Sequence, residues 1–320
     1  MLSRRHLRVK VLQALYAYFQ SGNSRMDQGE KQLLLSINKL YELFIYQLSF
    51  LVEVARFAEF RIEENKTKHL PTEEDINPNL RFVQNKVLTE IANNKDFQKK
   101  EALYKINWSE DKEMIRKFYV LLRESEAYEK YMAKSSATFD DDKRMVIYLV
   151  EEMFAGFDLL QSFYEEKSIF FVDDYHLVSY LIMKFIKFMD KRFDATTALP
   201  DLLKTEQDDD NEDLDFVKIL FRETILRSEE WGKIIAASTS NWELERIAVM
   251  DVLILKMALT ELTVFKSIPV KVTMNEYIDI SKYFSTARSK VFVNGILDKL
   301  IADMKKEGKI QKTGRGLLDN

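Results

Sequence analysis

The stretch PVKVTMNEYIDISKYFSTARSKVFVNGILDKL, residues 269–300, reads as two helices in succession. Thr273 with Glu276 three positions on has the form of a capping box, and Val272 and Tyr277 stand where a hydrophobic staple would flank it. A helix over 273–284 is expected from this signature. Ile268 precedes Pro269, so the segment leading in should be extended. A second helix over 286–307 places Val293, Ile296, Leu297 and Leu300 on one buried stripe. Phe292 falls at the stripe's edge beside Arg288 and Lys299, while Asn294 and Gly295 point outward. A glycine within a helix costs about 1 kcal/mol relative to alanine, so Gly295 is expected to admit something close, such as another helix. An aromatic ring bordered by cations suits single-stranded RNA, because a base stacks while its phosphates are neutralised. A half-buried packing ring is the plainer account of the same pattern.

The same period runs through nearly the whole chain. Leu7, Val11, Ala14, Leu15 and Tyr18 mark a first helix, and a long pattern follows from Leu33 to Ile62. Further helices are expected at 80–100, 109–134, 141–167, 173–192, 214–237 and 242–265. Only eight glycines and four prolines interrupt 320 residues, which argues against a sheet-rich fold with many tight turns. The class is all-α. ATTALPDLLKTEQDDDNEDLD, residues 195–215, reads as an acidic, solvated linker; the glycine and closing glutamate of a calcium loop are missing from it.

The other informative end is LSRRHLRVKVLQALYAYFQ, residues 2–20. Arg4, Arg5, Arg8 and Lys10 are positive, and no acid occurs before Asp27 although the chain as a whole carries a formal charge of −4. Arg4 and Arg8 share a face with Val11, Leu15 and Tyr18. Burying two unpaired guanidinium groups costs several kcal/mol each, so the first turns are expected to project beyond the core. The free amides of a helix start add to the positive field and suit phosphates. A surface helix whose charges pair with distant acids fits the pattern too, as does an organelle transit peptide.

Taken together, RRHLRVKVLQALYAY and residues 269–300 resemble the NusB family of transcription antitermination factors. ELERIAVMDVLILKMALTEL, residues 243–262, is similar to the family's preceding helix. The likeness covers residues 1–22 and 214–307, with Asn275-Glu276, Phe292-Val293-Asn294-Gly295 and Leu297-Asp298 at the family's spacing. It implies an all-helical, two-subdomain RNA-binding fold that recognises boxA-type single-stranded RNA with a NusE-type ribosomal protein, within the antitermination complex of RNA polymerase. Carried over by position, the RNA-contacting residues are Arg4, Arg5, His6, Arg8, Gln13, Tyr16, Arg288, Ser289, Lys290 and Phe292. Glu243, Glu245 and Arg246 are candidates for the protein partner. Arg288 departs from the acidic residue of some relatives. Residues 23–213 form an expanded helical insertion in the N-terminal half, and 308–320 a flexible polar tail.

Catalysis is not expected. RNA cytosine methyltransferases carry a NusB-like domain, but they need a cysteine nucleophile and a glycine-rich cofactor region. This chain has no cysteine, which also fits a reducing cytoplasm. His6, His69 and His176 are scattered, so neither a metal nor a cofactor is expected. No apolar run approaches the roughly 20 residues that span a bilayer. The competing reading is a helical protein-interaction scaffold whose RNA site has lapsed.

Overall fold

Every regular element of the computed structural model is helical, as the periodicity predicts, and the described residues are 2–22, 25–203, 212–239 and 247–318. They fall into two units, one of residues 1–36 with 203–320 and one of residues 37–202. The linker's acidic run from Glu206 to Asn211 lies outside the described residues.

The first unit holds α1 (Arg4–Gln20), the start of α2 (Met26–Lys66), α12 (Glu212–Leu226), α13 (Ser228–Ser238), α14 (Val249–Val264), α15 (Val270–Phe284) and α16 (Ser289–Lys306). Its centre is α14, whose sequence VMDVLILKMALTELTV is apolar nearly all round, the signature of a helix enclosed by others. α1, α12, α13 and α15 all pack against it, and α16 lies chiefly on α15 and α13. Gly29 allows the start of α2 to approach closely, since a Cβ there would lie 2.8 Å from the Phe221 ring and 3.0 Å from Tyr18.

Two expectations fail here. α15 begins at Val270 directly after Pro269, so Thr273 is an interior, fully buried residue and no cap. Its hydroxyl donates instead to Glu261 Oε1 at 2.8 Å. The 308–320 segment, read as flexible, is tied down over its described part. Thr313 N–H donates to Lys266 O at 3.0 Å, Lys312 Nζ donates to Phe265 O at 3.0 Å, and Gly314–Leu317 form a 3₁₀ turn. Gly316 sits so close that an added Cβ would fall 2.1 Å from Lys266 O, which no side chain tolerates.

The second unit contains the rest of α2 and then α3 (Glu73–Ile76), α4 (Lys86–Asn93), α5 (Lys95–Leu103), α6 (Lys112–Glu124), α7 (Glu126–Met132), α8 (Phe139–Tyr148), a π turn (Leu149–Met153), α9 (Asp158–Lys167), α10 (Ile169–Val172) and α11 (Tyr175–Phe188). Long predicted helices are cut by caps. Asn94 accepts from Phe97 N–H at 2.9 Å, and Ser125 accepts from Tyr128 N–H at 3.2 Å, each restarting the chain in a new direction. The core is aromatic, with Phe50 edge-on to Trp108, Phe118 and Phe154 at centroid distances of 5.1–5.7 Å. The buried Trp108 indole donates to Ser49 Oγ at 2.8 Å.

Candidate nucleic-acid interface

α1 begins with a reciprocal cap. Ser3 Oγ receives the His6 N–H at 3.5 Å, and His6 Nδ1 accepts the Ser3 N–H at 3.2 Å. His6 therefore closes the helix start, a use of the residue that the positional likeness did not foresee.

Arg8 is buried, 2 % exposed, so the helix start does not overhang the core. The cost is met by Glu261 of α14, itself fully buried. Arg8 Nε donates to Glu261 Oε2 and Nη2 donates to Oε1, both at 2.7 Å, in a two-pronged, charge-assisted pair. Tyr277 O–H at 3.0 Å and Thr273 O–H at 2.8 Å fill the carboxylate's other acceptor positions. Burial by itself would lower the Arg8 pKa, but the hydrogen bonds and charge of Glu261 hold it above the ordinary value.

The neighbours repeat the theme at the surface. Arg5 is gripped by Glu276 through two hydrogen bonds of 2.9 Å and by Asp279 at 3.0 Å. These contacts, that to Glu276 foremost, raise its pKa. The Arg4 guanidinium lies 4.9 Å from the centroid of Phe216, with Asp213 3.9 Å away. The acids that answer the basic helix come from α12, α14 and α15. The α1 arginines are thus largely neutralised by acids of their own unit. Gln13 is half-buried, and Tyr16 is exposed.

The start of α16 differs. Arg288 and Lys290 are exposed, Phe292 is half-buried, and the side of Gly295 is open, with nothing within 4 Å of where a Cβ would stand. The expected close neighbour of Gly295 is therefore not supplied by the described residues. Ser289 is buried and acts inward. Its hydroxyl donates to Asp251 Oδ2 at 2.7 Å and accepts the Thr286 N–H at 3.1 Å.

α1 and α16 do not form a groove by packing face to face; both are fastened to α14. Asp251 near one end of α14 holds Ser289, and Glu261 near the other holds Arg8. Ten residues of helix separate the two anchors, about 15 Å along the axis. Sequence reasoning missed Glu261 and Asp251 as the organising residues. The available signal was a helix apolar nearly all round that nevertheless carries two acids, Asp251 and Glu261. Glu243, Glu245 and Arg246, the partner-binding candidates, lie outside the described residues. Among the described residues no cluster of acids and histidines could hold a metal ion, and no helix is long and apolar enough to cross a membrane.

The sequence model of the NusB family matches residues 181–302. Three curated relatives carry the name transcription antitermination protein NusB. That of Salinibacter ruber is 45% identical over 125 residues, covering 39% of this chain and 78% of the relative. That of Chloroherpeton thalassium is 38% identical over 105 residues, 33% of this chain and 50% of the relative. That of Geobacter sulfurreducens is 37% identical over 93 residues, 29% of this chain and 67% of the relative. No solved structure matches. With a relative of such identity aligned over more than three quarters of its length, this chain belongs to the NusB family.

Proposed function

We propose that this protein is a non-catalytic RNA-binding antitermination factor acting in the cytoplasm. It recognises boxA-type single-stranded RNA together with a NusE-type ribosomal protein and joins the antitermination complex of RNA polymerase. Arg288 and Lys290 meet phosphates, and Phe292 offers a ring to a base, with Tyr16 and Arg4 as the contact candidates on α1. Arg8 and Ser289 serve by holding α1 and α16 on α14, and His6 by capping α1.

The observation that carries the reading is the pair Arg288 and Lys290, exposed at the start of a helix in a member of this family. Neutralisation of Arg5 and Arg8 favours the rival reading of a scaffold with a lapsed RNA site. Fluorescence anisotropy with a labelled boxA RNA separates them. Binding that weakens with salt and tightens when the ribosomal protein is added is the expected result. Absence of RNA binding, with and without that protein, rejects the proposal in favour of the scaffold.

A further inference from the structure

The second unit carries a separate surface of related chemistry. α11, YHLVSYLIMKFIKF, contains no acidic residue. Its buried positions Val178, Leu181, Ile182 and Ile186 face the core. At 100° per residue, His176, Tyr180, Lys184, Lys187 and Phe188 occupy an arc of about 120° on the opposite side. All five are exposed, Tyr180 to 53 % and Phe188 to 73 %.

The arrangement within that arc is specific. Tyr180, Lys184 and Phe188 follow one another four residues apart, so each ring adjoins an ammonium group one turn away. Lys187 lies on the other flank of Tyr180. The two rings are about 12 Å apart along the axis. Neither lysine has an acidic partner among the described residues, and the acid just past the helix, Asp190, is held by Arg192 at 3.0 Å. Both rings are large and exposed, and the lysines within the arc, Lys184 and Lys187, are positive, while the exposed acid Asp173 stands just before the helix. The positive charge within the arc selects a polyanion with flat faces to stack.

We infer that the outer face of α11 binds single-stranded RNA without sequence preference, bases stacking on Tyr180 and Phe188 while Lys184 and Lys187 neutralise phosphates. This goes beyond the α16 site and would give the second unit a share in holding the transcript.

The test uses the full chain and a fluorescein-labelled oligouridylate, longer than the roughly 4–16 nucleotides of one stacking site. Titrations over a range of salt compare the parent with Lys184→Gln/Lys187→Gln and with Tyr180→Ala/Phe188→Ala. All four positions are exposed, and circular dichroism verifies the fold. The lysine pair is expected to flatten the slope of log K against log salt by about 1.4, roughly 0.7 per lost phosphate contact. The aromatic pair is expected to weaken binding about ten-fold or more. Repeating both in an Arg288→Ala/Lys290→Ala background isolates α11 from the α16 site, so that loss of boxA recognition and loss of this surface are read separately. The inference is overturned by unchanged affinity and slope in both α11 variants, or by a parent that does not bind the oligouridylate. It is equally overturned if the substitutions abolish only self-association in sedimentation or only adsorption to anionic vesicles, which would make the face a protein or lipid surface.

Discussion

The first turns of α1 and of α16 are both rich in arginine and lysine, and the fold treats them in opposite ways. Around α1, Glu261, Glu276 and Asp279 close on Arg8 and Arg5. At α16 the cations of Arg288 and Lys290 stay at the surface, and only Ser289 between them turns inward. Local charge density therefore does not identify a phosphate site. What matters is whether acids from distant parts of the chain reach it first. One cluster is paired with acids of its own unit, and the other is exposed.

The largest expected effect breaks the α1 side of this contrast. Glu261→Gln leaves the buried Arg8 guanidinium with only the longer, 3.5 Å contact to Glu276 as counter-charge, which should cost about 3–5 kcal/mol. Urea denaturation followed by tryptophan fluorescence measures it, since Trp231 lies buried in this unit with its indole N–H on Thr260 of α14. A loss below about 1 kcal/mol would mean that the pair is dispensable. Next, Ser289→Ala removes the donor to the Asp251 carboxylate, whose other oxygen is buried with no hydrogen-bond partner among the described residues. A loss of about 1–3 kcal/mol is expected in the same assay.

Phe292→Ala should weaken boxA RNA binding by about 1–3 kcal/mol if a base stacks on the ring. A lower melting temperature with unchanged affinity would assign the ring to packing alone. The smallest effect belongs to Arg5→Ala. Its ion pairs are at the surface, so stability should fall by less than about 1 kcal/mol in calorimetry.

The helical class was legible because a 3.6-residue period persists through the chain and breakers are few. The buried stripe of α16 was equally plain, with Val293, Leu297 and Leu300 enclosed as expected and Ile296 half-buried. Partners distant in sequence were not legible. Arg8 and Glu261 are 253 positions apart, and a run of cations without neighbouring acids gave no hint of its counter-charge. Thr273 shows the limit of a local signature. A threonine three residues before a glutamate occurs inside α15 because Pro269 had already started the helix. In the second unit single polar residues, Asn94 and Ser125, outweigh a continuous apolar pattern. A side chain satisfying a backbone N–H stops one helix and begins the next.

The proposed function assigns RNA contact to the exposed cations of α16 and none to the paired Arg5 of α1. The most direct measurement is the salt dependence of boxA RNA binding in three forms of the chain, the parent, Arg288→Ala/Lys290→Ala and Arg5→Ala. The slope is expected to fall by about 1.4 for the α16 pair and to stay unchanged for Arg5→Ala. A slope that falls for Arg5→Ala and holds for the α16 pair would contradict it.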